Sequence, residues 1–188
     1  KPEEKLGIRS SDTCELYFDN VRVPEENLIG FEGQGFKIAL ETLDGGRIGI
    51  ASQALGIAQA SLDASIAYSK ERKQFNKSIS SFQAIQHKIA DMSIDIDAAR
   101  LLIRKAAWAK DHKLNYSVQA SKAKVFASEL AMRASIECVQ IHGGYGYIKE
   151  YDVERFFRDA KILEIGEGTS EVQRMIISKE ILKSFQSV

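Results

Sequence analysis

Glu167 lies between two glycines in the run Glu164-Ile165-Gly166-Glu167-Gly168-Thr169-Ser170-Glu171. A carboxylate on a glycine-flanked turn can take a proton from a molecule that comes close to the main chain, because glycine leaves room for that approach. Glu167 is therefore the candidate catalytic base. The pattern that follows reads as a helix, with Ser170 and Gln173 spaced as a capping box. An acidic residue just before a helix N-terminus is also favoured by the helix dipole alone. Local physics leaves both readings open.

Two further sets of residues could hold an anion. Arg72-Lys73-Gln74-Phe75 and Ser80-Ser81-Phe82-Gln83 bracket a helix start, where free amides, the dipole and an arginine suit a phosphate. Their structural alternative is a Ser80/Gln83 capping box, with Arg72 complementing the C-terminus of the preceding helix. Gln140-Ile141-His142-Gly143-Gly144-Tyr145-Gly146-Tyr147 closes a helix with a glycine-rich turn. It does not fit GxGxxG after a strand, so a Rossmann site is not supported, and Gly143 or Gly144 reads as a left-handed helix C-cap. His142 reads as structural. His87 and His112 have no cysteine or carboxylate at ligand spacing, so no metal is assigned. Asp44-Gly45-Gly46-Arg47 interrupts a helical pattern, and each interior glycine costs about 1 kcal/mol there. That cost implies that something approaches the backbone closely.

The elements that must position these groups are mostly helices. Segments near Phe36 to Ser69, Ser81 to Asp111, Ser117 to Ile141, Val153 to Lys161 and Ser170 to Ser184 carry the helical pattern. In the second, Ile85, Ile89, Met92, Ile96, Ala99 and Ile103 fall on one stripe expected to be buried. Short connections imply an all-α, antiparallel four-helix bundle. From Cys14 to Val23, alternation of Cys14, Leu16, Phe18, Val21 and Val23 reads as one or two short strands ending at Pro24. Their partners are expected upstream of Lys1, since no other run in the chain alternates comparably.

The chain has 188 residues, with 26 lysines and arginines balanced by 26 aspartates and glutamates, which gives no overall basic excess of the kind that marks nucleic-acid or membrane binding. Its two cysteines, Cys14 and Cys138, lack the companions of a zinc or redox site, and a reducing compartment is expected. No segment reaches the roughly 20 apolar residues of a membrane span. No signal or transit peptide opens the sequence, and residues before Lys1 are expected to have been removed or left out.

Taken together, these segments resemble the acyl-CoA dehydrogenase family, most closely its short-chain members. Six motifs occur in that family's order: Asp44 to Arg47, Arg72 to Phe75, Phe82-Gln83, Gln140 to Gly144, Arg158-Asp159-Ala160-Lys161-Ile162, and Glu167-Gly168-Thr169. The resemblance implies that residues 1–30 are a remnant of the family's middle β-domain. Residues 31–188 would be its C-terminal helical-bundle domain. It makes Glu167 the base that removes the α-proton of a short-chain fatty acyl-CoA, the β-hydrogen leaving as hydride to FAD. The amide of Glu167 would bond the thioester oxygen. Asp44, Gly45, Gly46, Arg47 and Gly168 would line the substrate, with Arg47 near the CoA portion. Arg72, Gln74, Phe75, Gln83, Gln140, Ile141, His142, Gly143 and Gly144 would reach the FAD of a neighbouring subunit. Thr169, Ser170 and Glu171 would contact the chain's own FAD.

The same resemblance implies a homotetramer built as a dimer of dimers, electron-transferring flavoprotein as electron acceptor, and a mitochondrial matrix address. Where the family usually has an aromatic residue before the glutamate, this sequence has Gly166, which would widen the pocket beside the reacting carbons. Two other readings remain open. The chain alone would be an inactive helical oligomerisation module, because the domains that cover the flavin ring are missing from it, or the parent would be an acyl-CoA oxidase.

Overall fold

The computed structural model describes residues 1–185. Its principal helices are α1 (Gly35–Glu71), α2 (Gln83–Asp111), α3 (Ser117–His142) and α5 (Ser170–Phe185), with a short α4 (Val153–Ala160) between the last two. Successive contacts set the directions: Gly45 near Lys110 and Gln59–Arg100 between α1 and α2, Lys88–Glu137 and Asp95–Arg133 between α2 and α3, and Val118 near Ile181 and Glu129–Arg174 between α3 and α5. They make α2 antiparallel to α1, α3 antiparallel to α2, and α5 antiparallel to α3. This is the expected antiparallel bundle.

The most extensive packing is α1 on α3, and small residues explain it. Ala51, Ala54, Ala58, Ser61 and Ser65 on α1, and Ala120, Ala123, Ala127, Ala131 and Ala134 on α3, are buried. Side chains this short allow two helix axes to approach closely. On α2, Met92, Ile96, Ala99 and Ile103 are buried, while Ile85 and Ile89 pack partly covered against the same core. The stripe read from the sequence is thus the one that faces inward.

Several boundaries differ from expectation. α1 runs without a break through Asp44-Gly45-Gly46-Arg47, because only the side of the helix is needed for the close approach there. Between α1 and α2 lies an unforeseen hairpin, β1 (Lys73–Gln74) and β2 (Lys77–Ser78), in register Lys73↔Ser78 and Gln74↔Lys77. Phe75 and Asn76 both take positive φ, 53° and 64°, as a two-residue hairpin turn requires. Ser80 does not cap α2. A 3-10 turn occupies Ile79–Ser81, Phe82 is the N-cap without a side-chain bond, and the Ser80 hydroxyl pairs instead with that of Ser78.

The strand expected between Cys14 and Val23 does not form. Leu16, Tyr17 and Phe18 are each more than 70% exposed, at 72%, 81% and 79%. The apolar alternation is present, but no other segment of the described residues offers it a ladder. Only the start of this region is anchored. Ile8 N–H donates to Asp159 Oδ1 at 2.7 Å, and Arg158 Nη1 donates to the Leu6 carbonyl at 3.1 Å. Gly7 presses on the Arg158 carbonyl so closely that a Cβ would lie 2.4 Å from that oxygen.

Candidate functional site

Glu167 is reached through a tight descent from α4. A 3-10 turn at Lys161–Glu164 buries Leu163, and the amides of Ile165 and Gly166 both return to the Ile162 carbonyl. The chain then reverses through two positive-φ residues, Glu167 at 58° and Gly168 at 94°. Gly166 is not one of them, so the left-handed residue is the glutamate itself. A non-glycine residue there costs about 1–2 kcal/mol and persists only when its surroundings impose it.

The surroundings impose it from three helices. From α5, Gln173 Nε2 donates to the carbonyls of Glu167 and Gly168, both at 3.1 Å. From α3, Lys124 Nζ donates to the Gly168 carbonyl at 2.8 Å. From α1, Arg47 Nε approaches the Glu167 carbonyl at 3.5 Å. Arg47 is only 5% exposed; it pairs with Asp44, which in turn accepts from Ser117 Oγ at 2.9 Å. Its charge is therefore turned into the molecule.

The glycine pair of α1 now has its reason. A Cβ on Gly46 would lie 2.7 Å from Glu167 Oε2 and 2.8 Å from its carboxyl carbon. A Cβ on Gly45 would lie 3.1 Å from Lys110 Nζ. The helix gives up side chains at both positions so that a carboxylate and an ammonium can lie against its backbone. Glu167 Oε2 is buried and has no hydrogen-bond partner among the described residues, an arrangement that normally demands an explanation. A carboxylate oxygen packed against bare backbone with no partner keeps its full capacity to accept a proton.

The helix cap is also different from expectation. Thr169, not Ser170, caps α5: its carbonyl accepts Gln173 N–H at 3.0 Å and its hydroxyl accepts Val172 N–H at 3.3 Å. Ser170 is buried with an unpartnered hydroxyl. Gln173 reaches past the cap to the Glu167 turn instead of back to the amide of the capping residue. Glu171, exposed in the first turn, is held below the usual carboxylate range by its own backbone amide and the Thr169 hydroxyl.

The second set of residues gathers at the other end of α1. Tyr68, Arg72, Gln74, Ile79, Ile141, His142, Gly143, Gly144, Tyr145 and Ile148 line a groove of about 530 Å³. His142 forms its floor, stacked on Tyr68 at 4.2 Å and bonded through Nδ1 to the Cys138 carbonyl at 2.8 Å. Burial lowers its pKa and keeps it neutral. Burial pushes the Cys138 thiol up to about 11. Gly143 takes φ 61° but ψ −134°, so the positive φ is as expected while the left-handed α cap is not. Three residues on, Gly146 folds back under the Val139 carbonyl so tightly that a Cβ would sit 2.5 Å from it.

Arg72 is exposed and forms no ion pair among the described residues; its guanidinium lies 5.7 Å from the Tyr145 ring centre. Gln83 and Gln140 are exposed nearby in sequence but do not line the groove, and Phe75 projects at 84% exposure. Free guanidinium, amide donors and two glycines with open space around them suit a pyrophosphate-bearing ligand. The two sets are separate: the twenty-two residue steps of continuous helix from Gly46 to Tyr68 span roughly 33 Å.

Sequence reading missed Lys124 and the double donation by Gln173. The signal for Lys124 was a lone charge inside the small-residue stripe Ala120-Ser121-Ala123-Ala127-Ser128.

A family model described as "Acyl-CoA dehydrogenase, C-terminal domain" matches residues 33–182. The chain belongs to the acyl-CoA dehydrogenase family. It is 59% identical over 97% of its length to the probable acyl-CoA dehydrogenase YngJ of Bacillus subtilis, covering 48% of that protein. It is 51% identical over its whole length to the mitochondrial short-chain specific acyl-CoA dehydrogenase of Mus musculus, covering 45% of it. The solved butyryl-CoA dehydrogenase of Megasphaera elsdenii superimposes with a TM-score of 0.95 at 54% identity, over 97% of this chain and 48% of that one. The chain thus spans about half the length of these acyl-CoA dehydrogenases. They are bacterial and mitochondrial alike, so the likeness does not select a compartment.

Proposed function

We propose that this chain supplies the catalytic base and part of the FAD site of an acyl-CoA dehydrogenase acting on short-chain fatty acyl-CoA thioesters. The observation that carries the reading is Glu167 itself. Its left-handed turn is held by three helices, and it presents an unpartnered carboxylate oxygen against the bare backbone of Gly46. The Glu167 carboxylate takes the α-proton of the thioester. The amide of Glu167 donates to the thioester oxygen and stabilises the enolate as charge develops. Asp44, Gly45, Gly46, Arg47 and Gly168 form the wall around the acyl group, Arg47 from its inner side toward the CoA portion. When bound, FAD supplies the acceptor for the β-hydride.

The groove fits the phosphate-bearing part of that cofactor. Arg72, Gln74 and Ile141 to Gly144 would hold it from the groove of one chain, with Phe75, Gln83 and Gln140 outside that lining assigned to it by the family resemblance, while Thr169, Ser170 and Glu171 would hold the flavin at the chain's own Glu167. The two sets lie roughly 33 Å apart on one helix, and by the family resemblance they serve two different cofactors, each shared between neighbouring copies. This implies a homo-oligomer, taken as a tetramer from the family resemblance, with electron-transferring flavoprotein as electron acceptor. The division into a β-domain remnant at 1–30 and a helical domain at 31–188 fits a family match that begins at residue 33. For a mammalian source, the same reading places the enzyme in the mitochondrial matrix.

The test is anaerobic flavin bleaching by butyryl-CoA in the holoenzyme carrying this chain, with and without Glu167→Gln. Bleaching that is lost in the variant while FAD stays bound is the expected result. Bleaching at the unmodified rate in Glu167→Gln would overturn the assignment.

A further inference from the structure

Lys124 is the largest completely buried side chain among the described residues. Its buried neighbours one turn away on α3 are Ala120, Ser121, Ala127 and Ser128, and burying an ammonium there is expensive unless something compensates. Desolvation accordingly lowers its pKa, opposed mainly by Glu164, with smaller influences from Arg47, Glu171 and Glu129. An ammonium carries three donors. Its one hydrogen bond among the described residues goes to the Gly168 carbonyl, at 2.8 Å.

Gln173 repeats the pattern from α5. It is 0% exposed, divides Nε2 between the carbonyls of Glu167 and Gly168, and leaves its own Oε1 without a partner. Fold stability does not call for such a pair, since apolar residues of similar volume usually serve a core as well or better. What the pair does share is its target. Both side chains converge on the Gly168 carbonyl, one residue beyond a glutamate held at φ 58°.

Resting on the assignment of Glu167 as base, we propose that Lys124 and Gln173 are positioning residues for it. By clamping the carbonyls of Glu167 and Gly168 from two helices, they fix the left-handed turn and set the carboxylate against Gly46. Neither touches the reacting atoms. Their effect is on where the carboxylate is, and misplacement by about 1 Å can cost on the order of 100-fold in rate.

The test compares Lys124→Met, Gln173→Leu and Glu167→Gln in the FAD-loaded enzyme. Backbone amide exchange across residues 165–170 is followed by mass spectrometry, beside kcat and KM for butyryl-CoA and the melting temperature. In the two clamp variants we expect faster exchange in that segment and a kcat lower by about 10- to 100-fold. KM should stay within about twofold, as expected when transition-state geometry alone is lost, and melting should be unchanged or higher. A kcat near wild type in both, with Glu167→Gln inactive, would overturn the clamp and leave the base in place. A fall in kcat without faster exchange would overturn it as well. Full activity in Glu167→Gln would remove the assignment on which the clamp rests. If Lys124→Met does not fold, Lys124→Gln and Gln173→Leu are read by the same criteria.

Discussion

Around Glu167 the polar groups are buried and point at the main chain of one turn: Arg47, Lys124 and Gln173 all spend donors on two successive carbonyls. Around Arg72 the reverse holds. The guanidinium, Gln74 and Gly144 are exposed around a floor of buried Tyr68, Ile141 and His142. The first region spends its polar chemistry on holding its own backbone in an unfavourable conformation. The second leaves its polar chemistry free for something else. A group that must be placed to a fraction of an ångström needs the first kind of construction, whereas a groove that recognises a charged, flexible ligand needs the second.

The largest expected effect sharpens that contrast at its most ordered point. Glu167→Gln should lower the rate of butyryl-CoA-dependent bleaching by about 10³-fold, within the usual range for loss of a general base, with FAD content unchanged by absorbance. Gly46→Ala comes next. It forces a methyl to 2.7 Å from Glu167 Oε2 and should cost about 10²-fold in kcat through displacement of the carboxylate, again with FAD retained. Arg72→Ala should act on the other region only. It should raise the FAD dissociation constant by about 10-fold, the loss of one charge-assisted hydrogen bond, as read by fluorescence titration.

The helical class and the buried stripe of α2 were legible because they rest on local periodicity. The turn at Glu167 was legible from its flanking glycines, and the close approach at Gly45 and Gly46 from the cost of placing them in a helix. What was not legible depends on pairing over distance. The alternation of Leu16 and Phe18 has a strand's pattern, but pairing needs a second strand that the described residues do not provide. Thr169 displaced Ser170 as the cap because Gln173, the expected partner in a capping box, is drawn instead to a turn six residues before it. Lys124 lies 44 residues from Gly168, and nothing local to either announces the other. The Phe75-Asn76 hairpin carried a usable signal in Asn76, a residue tolerant of positive φ.

Smaller effects probe the edges of the two regions. Gly166→Tyr, which would place before Glu167 the aromatic residue that the family resemblance leads one to expect, should narrow acyl selectivity. Relative kcat/KM for straight and branched acyl-CoAs should shift by about tenfold, the scale of one or two methylenes in a pocket; unchanged ratios would count against a role for Gly166 in the pocket. The smallest effect concerns the floor of the groove. His142 has a pKa below its ordinary value of 6.5 because burial disfavours the charged form. The unfolded chain therefore binds the proton more readily, so stability from this residue is fully present above pH 6.5 and falls as pH drops below it. His142→Gln should flatten that fall in urea midpoints measured between about pH 7 and pH 5.

The most direct measurement of the division between the regions is a paired titration. FAD is added back to apo-forms of Glu167→Gln and Arg72→Ala, and butyryl-CoA bleaching is followed anaerobically at each FAD concentration. Glu167→Gln should bind FAD as the unmodified enzyme does and never bleach at a comparable rate. Arg72→Ala should need more FAD and, once saturated, bleach at close to the unmodified rate. Bleaching by saturated Glu167→Gln, or none by saturated Arg72→Ala, would contradict the proposed separation of a proton-abstracting turn from a cofactor-holding groove.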